Sequence, residues 1–154
     1  MLIRPANEDE LNMLVDIWLR SVRATHDFLT AADIQEFLPL VRQGLPTLEL
    51  WVLCAADDRL IGFMGLSDNK LEALFLAPDL LRRGGGRLLV RHAQGLKGEL
   101  TVDVNEPNPA AFRFYEACGF EAYGRSELDS TGRPFPLIHM RLGNSEAQQK
   151  TAAI

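Results

Sequence analysis

The stretch Leu71–Arg91, LEALFLAPDLLRRGGGRLLVR, leaves this chain few folds to choose from. Its apolar start, Leu71 to Leu76, is too short for a free-standing helix and too apolar for a loop, so it predicts a strand buried on both faces. Pro78 ends that run. Gly84, Gly85 and Gly86 then let the backbone turn tightly before Arg87 to Leu96 takes helical spacing, with Leu88, Leu89, Ala93 and Leu96 as its apolar positions. A strand, a tight loop and a helix start make an anion site, because the first N–H groups of a helix lack an intrahelical acceptor and the helix dipole favours negative charge there.

Side chains reinforce that site. Between Asp79 and Glu99 the chain carries Arg82, Arg83, Arg87, Arg91 and Lys97 and no acidic residue, although the whole has 16 Lys+Arg against 21 Asp+Glu and a formal charge of −5. A local basic site on an acidic protein points to a specific anionic ligand and away from nucleic acid. A P-loop would need Lys and then Ser or Thr after the last glycine, where Arg87 and Leu88 stand; a dinucleotide fingerprint would need glycine in place of Leu89. On the triplet alone, a glycine-rich turn ahead of a solvated arginine helix is as good a reading.

A second stretch, NEPNPAAFRFYEACGF from Asn105 to Phe120, reads as a strand end, a cap and a short helix. Asn108 caps, Pro109 takes the first helical position and Gly119 stops the helix. The Leu-Phe-Leu-x-Pro strand end, the G-x-G loop at Gly84 and Gly86, and N-x-x-A-x-x-x-Y-x-x-x-G-F from Asn108 to Phe120 together resemble the GNAT superfamily of acetyl-coenzyme A-dependent N-acetyltransferases. THDFL at Thr25 to Leu29 and GRSELDSTGRPFPL at Gly124 to Leu137 are similar to the YjaB-like small bacterial acetyltransferases within it. One position departs: Leu81 stands where the family usually has Gln or Arg, and Arg82 and Arg83 are placed to supply that charge.

The rest of the chain fits one domain over residues 1–142 with a disordered tail over 143–154, and 47% hydrophobic composition suits a globular class. No apolar run approaches the ~20 residues of a membrane helix and the N-terminus is unlike a secretory signal, so a cytoplasmic protein without a membrane partner is expected. Cys54 and Cys118 are expected as free buried thiols. Leu2 to Arg4 forms a short first strand. Asn7 with Glu10 starts a helix whose face is Leu11, Leu14, Trp18 and Val22; Thr30 with Asp33 starts a second through Ile34, Phe37, Leu38 and Val41, ending near Gly44 and Pro46. Leu48 to Ala55 and Leu60 to Ser67 make a hairpin about Asp57-Asp58. Glu99 to Asn105 alternates Leu100, Val102 and Val104 inward with Thr101 and Asp103 outward, and Glu121 to Leu128 with Phe135 to Leu142 closes the sheet.

This order of elements fits an α+β sheet carrying helices on both sides. The resemblance implies more: a seven-stranded, mostly antiparallel sheet with about four helices, whose fourth and fifth strands, Lys70–Leu76 and Glu99–Asn105, splay apart to hold acetyl-coenzyme A. It also implies that Leu74, Phe75 and Leu76 pair with the pantetheine arm, that Arg82, Arg83, Gly84, Gly85, Gly86 and Arg87 take the pyrophosphate, and that Asn105 and Asn108 add cofactor contacts.

Acetyl transfer to an amine needs a proton removed from the nucleophile, whose free pKa is about 10.4, and a proton for the leaving thiolate. Tyr115 matches the family tyrosine that faces the coenzyme A sulfur and is the candidate acid; a plain core aromatic is the competing reading. Glu72 is the candidate base, unless it is simply a solvent-facing strand residue. His26, a second base candidate, and Phe28 sit in the loop that lines the acceptor side in the family. His92 and His139 read as structural, and three scattered histidines make no metal site. The expected function is an N-acetyltransferase acting by direct attack on a small-molecule or protein amine, as a monomer or homodimer; the alternative is a non-catalytic acyl-coenzyme A sensor or a regulatory domain.

Overall fold

The computed structural model describes residues 1–80 and 83–143. Its elements run β1 (Leu2–Pro5), α1 (Leu11–Thr25), α2 (Ala31–Gly44), β2 (Glu49–Cys54), β3 (Leu60–Ser67), β4 (Lys70–Leu76), α3 (Gly85–Lys97), β5 (Leu100–Asn105), α4 (Pro109–Ala117), β6 (Glu121–Ser126) and β7 (Leu137–Leu142). The strands form one seven-stranded sheet in the order β1-β2-β3-β4-β5-β7-β6, antiparallel except where β4 and β5 pair in parallel. That parallel ladder consists of Lys70↔Thr101 and Leu71↔Val102. The chain divides into two compact units, Met1–Ser67 with Glu72–Leu89, and Asp68–Leu71 with Val90 onwards.

In the first unit, α1 buries Leu14, Val15, Ile17, Trp18 and Val22 against Ile34 of α2 and against Val52, Cys54, Phe63 and Ala73 of the strands. Each of the buried Val, Leu, Ile and Phe side chains contributes about 1.5–3 kcal/mol relative to exposure. The capping signals are in place, that of Asn7 on the single turn Glu8–Glu10 that leads into α1 and that of Thr30 on α2 itself. Asn7 N–H donates to Glu10 Oε1 at 2.7 Å; Thr30 N–H donates to Asp33 Oδ2 at 2.9 Å, and Asp33 N–H to Thr30 Oγ1 at 3.1 Å.

Glu10 is buried, and the Arg4 guanidinium grips it through bonds of 2.9 and 2.8 Å. The bond from Arg4 holds the Glu10 carboxyl below its usual range; burial opposes this, while the Asn7 N–H and the Arg4 charge add to it. A depressed carboxyl pKa stabilises the fold fully above the unfolded value of about 4.3 and loses that contribution as pH falls through the folded one. Denaturant titrations should therefore show Glu10→Gln less stable than wild type at neutral pH, with the gap closing as the solution is acidified through that window.

In the second unit, Leu100, Val102 and Val104 of β5 alternate inward as expected, with Met140 and Leu142 of β7 and Tyr115 and Phe120 also buried. Two expectations are corrected. β4 is not buried on both faces: Leu71 and Ala73 are buried but Glu72 is exposed, because one charged residue in a short apolar run sets a period-2 alternation. In α3 the buried side chains are Leu89, Val90 and Ala93, while Leu88 and Leu96 are 37% and 45% exposed. Apolar spacing in a helix marks a stripe without fixing which side of it is covered.

Candidate functional site

Within the first unit the residues singled out in the sequence gather at the end of β4 and the start of α3. Gly84 has φ +85°, a left-handed conformation natural to glycine, and its carbonyl accepts the Leu88 N–H at 3.1 Å. A Cβ on Gly85 would lie 2.8 Å from Leu53 Cδ2 and 3.4 Å from Leu76 Cδ2, so glycine there lets α3 begin directly against β2 and β4. The first turn of α3 thus offers N–H groups without intrahelical acceptors, with the exposed Arg83 and Arg87 alongside and nothing within 4 Å of where a Cβ on Gly84 would stand. That combination fits a diphosphate. Gly86 is buried. Arg82 and Leu81 lie outside the described residues, as does the tail from residue 144.

His26, at the C-terminal end of α1, packs its ring 5.4 Å from Phe28 and 6.4 Å from Phe75 of β4. Phe75 in turn lies 5.8 Å from Phe63. The Thr25 hydroxyl donates to the Ser21 carbonyl at 2.8 Å and lies 2.9 Å from His26 Nδ1. Burial pulls the His26 pKa down, against the charge of Asp27. The lowered pKa favours the neutral imidazole at neutral pH. Glu72 stands exposed on β4, and Leu74 and Leu76 are half-buried.

Within the second unit, Asn108 is buried and caps α4, its Oδ1 accepting the Ala111 N–H at 3.2 Å. Its own N–H donates to the Asn105 carbonyl at 2.9 Å, which ties the end of β5 to the start of α4. Tyr115 is buried edge-on between Phe114, at 5.0 Å, and Phe120, at 5.3 Å. Burial, with Cys118 adding to it, pushes the phenol above its usual range, so Tyr115 keeps its proton at neutral pH and can act as a donor but not as a base.

Sequence reasoning missed one constellation. His139 of β7, expected to be structural, bonds through Nδ1 to Asp103 Oδ1 at 2.6 Å and through Nε2 to Ser126 Oγ at 2.7 Å. The other Asp103 oxygen takes Lys70 Nζ at 2.8 Å. Burial raises the Asp103 pKa, but the bonds and charges of Lys70 and His139 outweigh it and hold the carboxyl ionised. The outward alternation of Asp103 is the one signal in the sequence. Among the described residues, no group of three or more His, Cys, Asp or Glu is placed to hold a metal ion, and no helix is long and apolar enough to cross a membrane.

Residues 11–120 match the Acetyltransferase (GNAT) family. The peptidyl-lysine N-acetyltransferase YjaB of Escherichia coli (strain K12) is 47% identical over 138 residues, which cover 90% of this chain and 94% of that protein. The solution structure of apo-form YjaB from Escherichia coli superposes with a TM-score of 0.86 at 45% identity, covering 94% of this chain and 98% of that one. PaiA N-acetyltransferase from Thermoplasma acidophilum, solved in complex with coenzyme A, shares the fold at 19% identity with a TM-score of 0.71, over 92% of this chain and 98% of that one.

Proposed function

Because the chain belongs to the GNAT acetyltransferase family, we propose that it moves the acetyl group of acetyl-coenzyme A onto the side-chain amine of a protein lysine, by direct attack within a ternary complex. The observation that carries the acceptor class is the match of nearly the whole chain to a peptidyl-lysine N-acetyltransferase. It favours an enzyme over a non-catalytic sensor. A net charge of −5 supports a cationic acceptor through long-range attraction.

The parts divide by chemistry. The α3 N-terminus with Arg83, Gly84, Gly85, Gly86 and Arg87 takes the pyrophosphate, with Arg82 adding charge. The main chain of Leu74, Phe75 and Leu76 pairs with the pantetheine arm as an added strand would, and Asn105 and Asn108 hold the cofactor's inner end. His26 and Phe28 line the acceptor side, where an aromatic wall suits the lysine methylenes. The exposed carboxylate of Glu72 draws the acceptor ammonium in. Tyr115 donates its proton as charge builds on the departing sulfur, the thioester C–S bond breaking as the C–N bond forms.

The test is direct. Purified protein with acetyl-coenzyme A and lysine-containing proteins or peptides should release free thiol and leave acetyl groups on lysine Nε, read by mass spectrometry. Transfer to polyamines or other small amines with none to lysine would overturn the acceptor class.

A further inference from the structure

Resting on that acetyltransferase reading, we propose that Ser126, His139 and Asp103, braced by Lys70, form the relay that takes the proton from the acceptor amine. The four groups lie in one unit and on three consecutive links of 2.7, 2.6 and 2.8 Å. Each link fixes the next. The ionised Asp103 carboxylate only accepts, so His139 Nδ1 carries hydrogen; in the neutral imidazole the Nε2 lone pair is then the one that takes the Ser126 hydroxyl proton, and Ser126 Oγ presents its own lone pairs to an incoming N–H.

The sheet register sets the relay beside the end of β5. Asp103, His139 and Gly124 form one row across β5, β7 and β6, and Asn105, Leu137 and Ser126 form the next row on the same face. Asn105 is thus two residues along β5 from Asp103 on the same face, about 7 Å away. Asp103 and His139 side chains keep 21% and 23% of their exposure, enough for a substrate to reach and too little for full hydration. Around the ring stand Asp103 with Lys70 on one side and, on the other, Tyr123 at 6.0 Å, capped by Arg141 at 5.4 Å from the Tyr123 ring. Nearby Arg125 and Glu106 pair with each other at 2.6 Å.

In the step itself, the neutral amine bonds to the acetyl carbon and has one hydrogen more than the amide keeps. That proton passes to Ser126 Oγ while the Ser126 proton passes to His139 Nε2, leaving an imidazolium facing Asp103. The thiolate takes its proton from Tyr115, and the imidazolium proton returns through water to the phenolate. No covalent acetyl-serine forms.

Four variants and one spectroscopic reading test this. In lysine-peptide acetylation, His139→Gln should lower kcat about a hundredfold and remove the limb in which wild-type kcat/KM falls toward acid pH, leaving the limb set by the amine itself. Ser126→Ala should lower kcat less, since a water can replace the hydroxyl. His26→Gln should raise the peptide KM and keep the acid limb. An acid limb that survives His139→Gln and disappears in His26→Gln overturns the proposal, as does acetyl-Ser126 trapped by acid quench. Independently of any transfer, nitrogen-15 NMR of the unliganded protein should show His139 as the Nδ1–H tautomer with a downfield proton that Asp103→Asn removes; an Nε2–H tautomer overturns the relay even if acetylation is confirmed. Conversely, the Nδ1–H tautomer in a protein that acetylates no lysine would count against the acceptor class while upholding the relay's geometry.

Discussion

Tyr115→Phe should acetylate lysine about a hundredfold more slowly than wild type while binding acetyl-coenzyme A almost as tightly. The asymmetry follows from what the hydroxyl does. The ring supplies the packing, edge-on to Phe114 and Phe120, and phenylalanine keeps all of it. Among the described residues the hydroxyl has no hydrogen-bond partner, so its removal orphans no protein group and stability should be unchanged or slightly higher. What is lost is a proton that burial holds on the oxygen and that the hydroxyl can share with the sulfur as negative charge builds there. Isothermal titration for the cofactor and a thiol-release assay for turnover separate the two effects. Equal losses in both would remove Tyr115 from the acid role.

Phe120→Ala should destabilise the protein by about 3–5 kcal/mol, the cost of emptying a fully buried phenylalanine site. Phe120 is 2% exposed, and its N–H donates to the Tyr115 carbonyl at 3.0 Å. The same ring forms one wall of the slot that orients the tyrosine. Phe120→Leu keeps most of the volume and should cost about 1.5 kcal/mol or less, yet still lower turnover, since a leucine cannot reproduce the edge-on contact. Urea titration paired with the same assay distinguishes lost stability from lost orientation: Phe120→Leu with unchanged kcat would show that Tyr115 needs no such wall.

Features that depend on neighbours along the chain are legible in the residues themselves. Asn108, Pro109 and Gly119 mark the ends of α4 because caps and stops are local. Leu100, Val102 and Val104 declare the inward face of β5 because a strand has period two. The resemblance to the GNAT pattern draws on the same local motifs and carries the fold with it. Where sequence and structure part, the deciding partner lies far along the chain. Leu88 and Leu96 share the apolar spacing of α3, but Leu89, Val90 and Ala93 are the positions that meet other elements.

The Ser126–His139–Asp103 relay is hidden in the sequence for a related reason. Its members are 13 and 36 positions apart, and their meeting depends on how β6 and β7 align. The register of that pair shifts between Ala122 and Gly124. One extra residue there turns Ser126 to the face on which His139 stands, since a single-residue slip exchanges the faces of a strand. Alternation can say that Asp103 points outward. It cannot say what stands opposite.

A structure of the protein bound to coenzyme A tests the central claim most directly. The account predicts the thiol sulfur within hydrogen-bonding reach of the Tyr115 hydroxyl, the pantetheine arm bonded to the main chain of Leu74–Leu76, and the pyrophosphate on the first N–H groups of α3. A cofactor seated elsewhere, with the Tyr115 hydroxyl facing away from the sulfur, would contradict it.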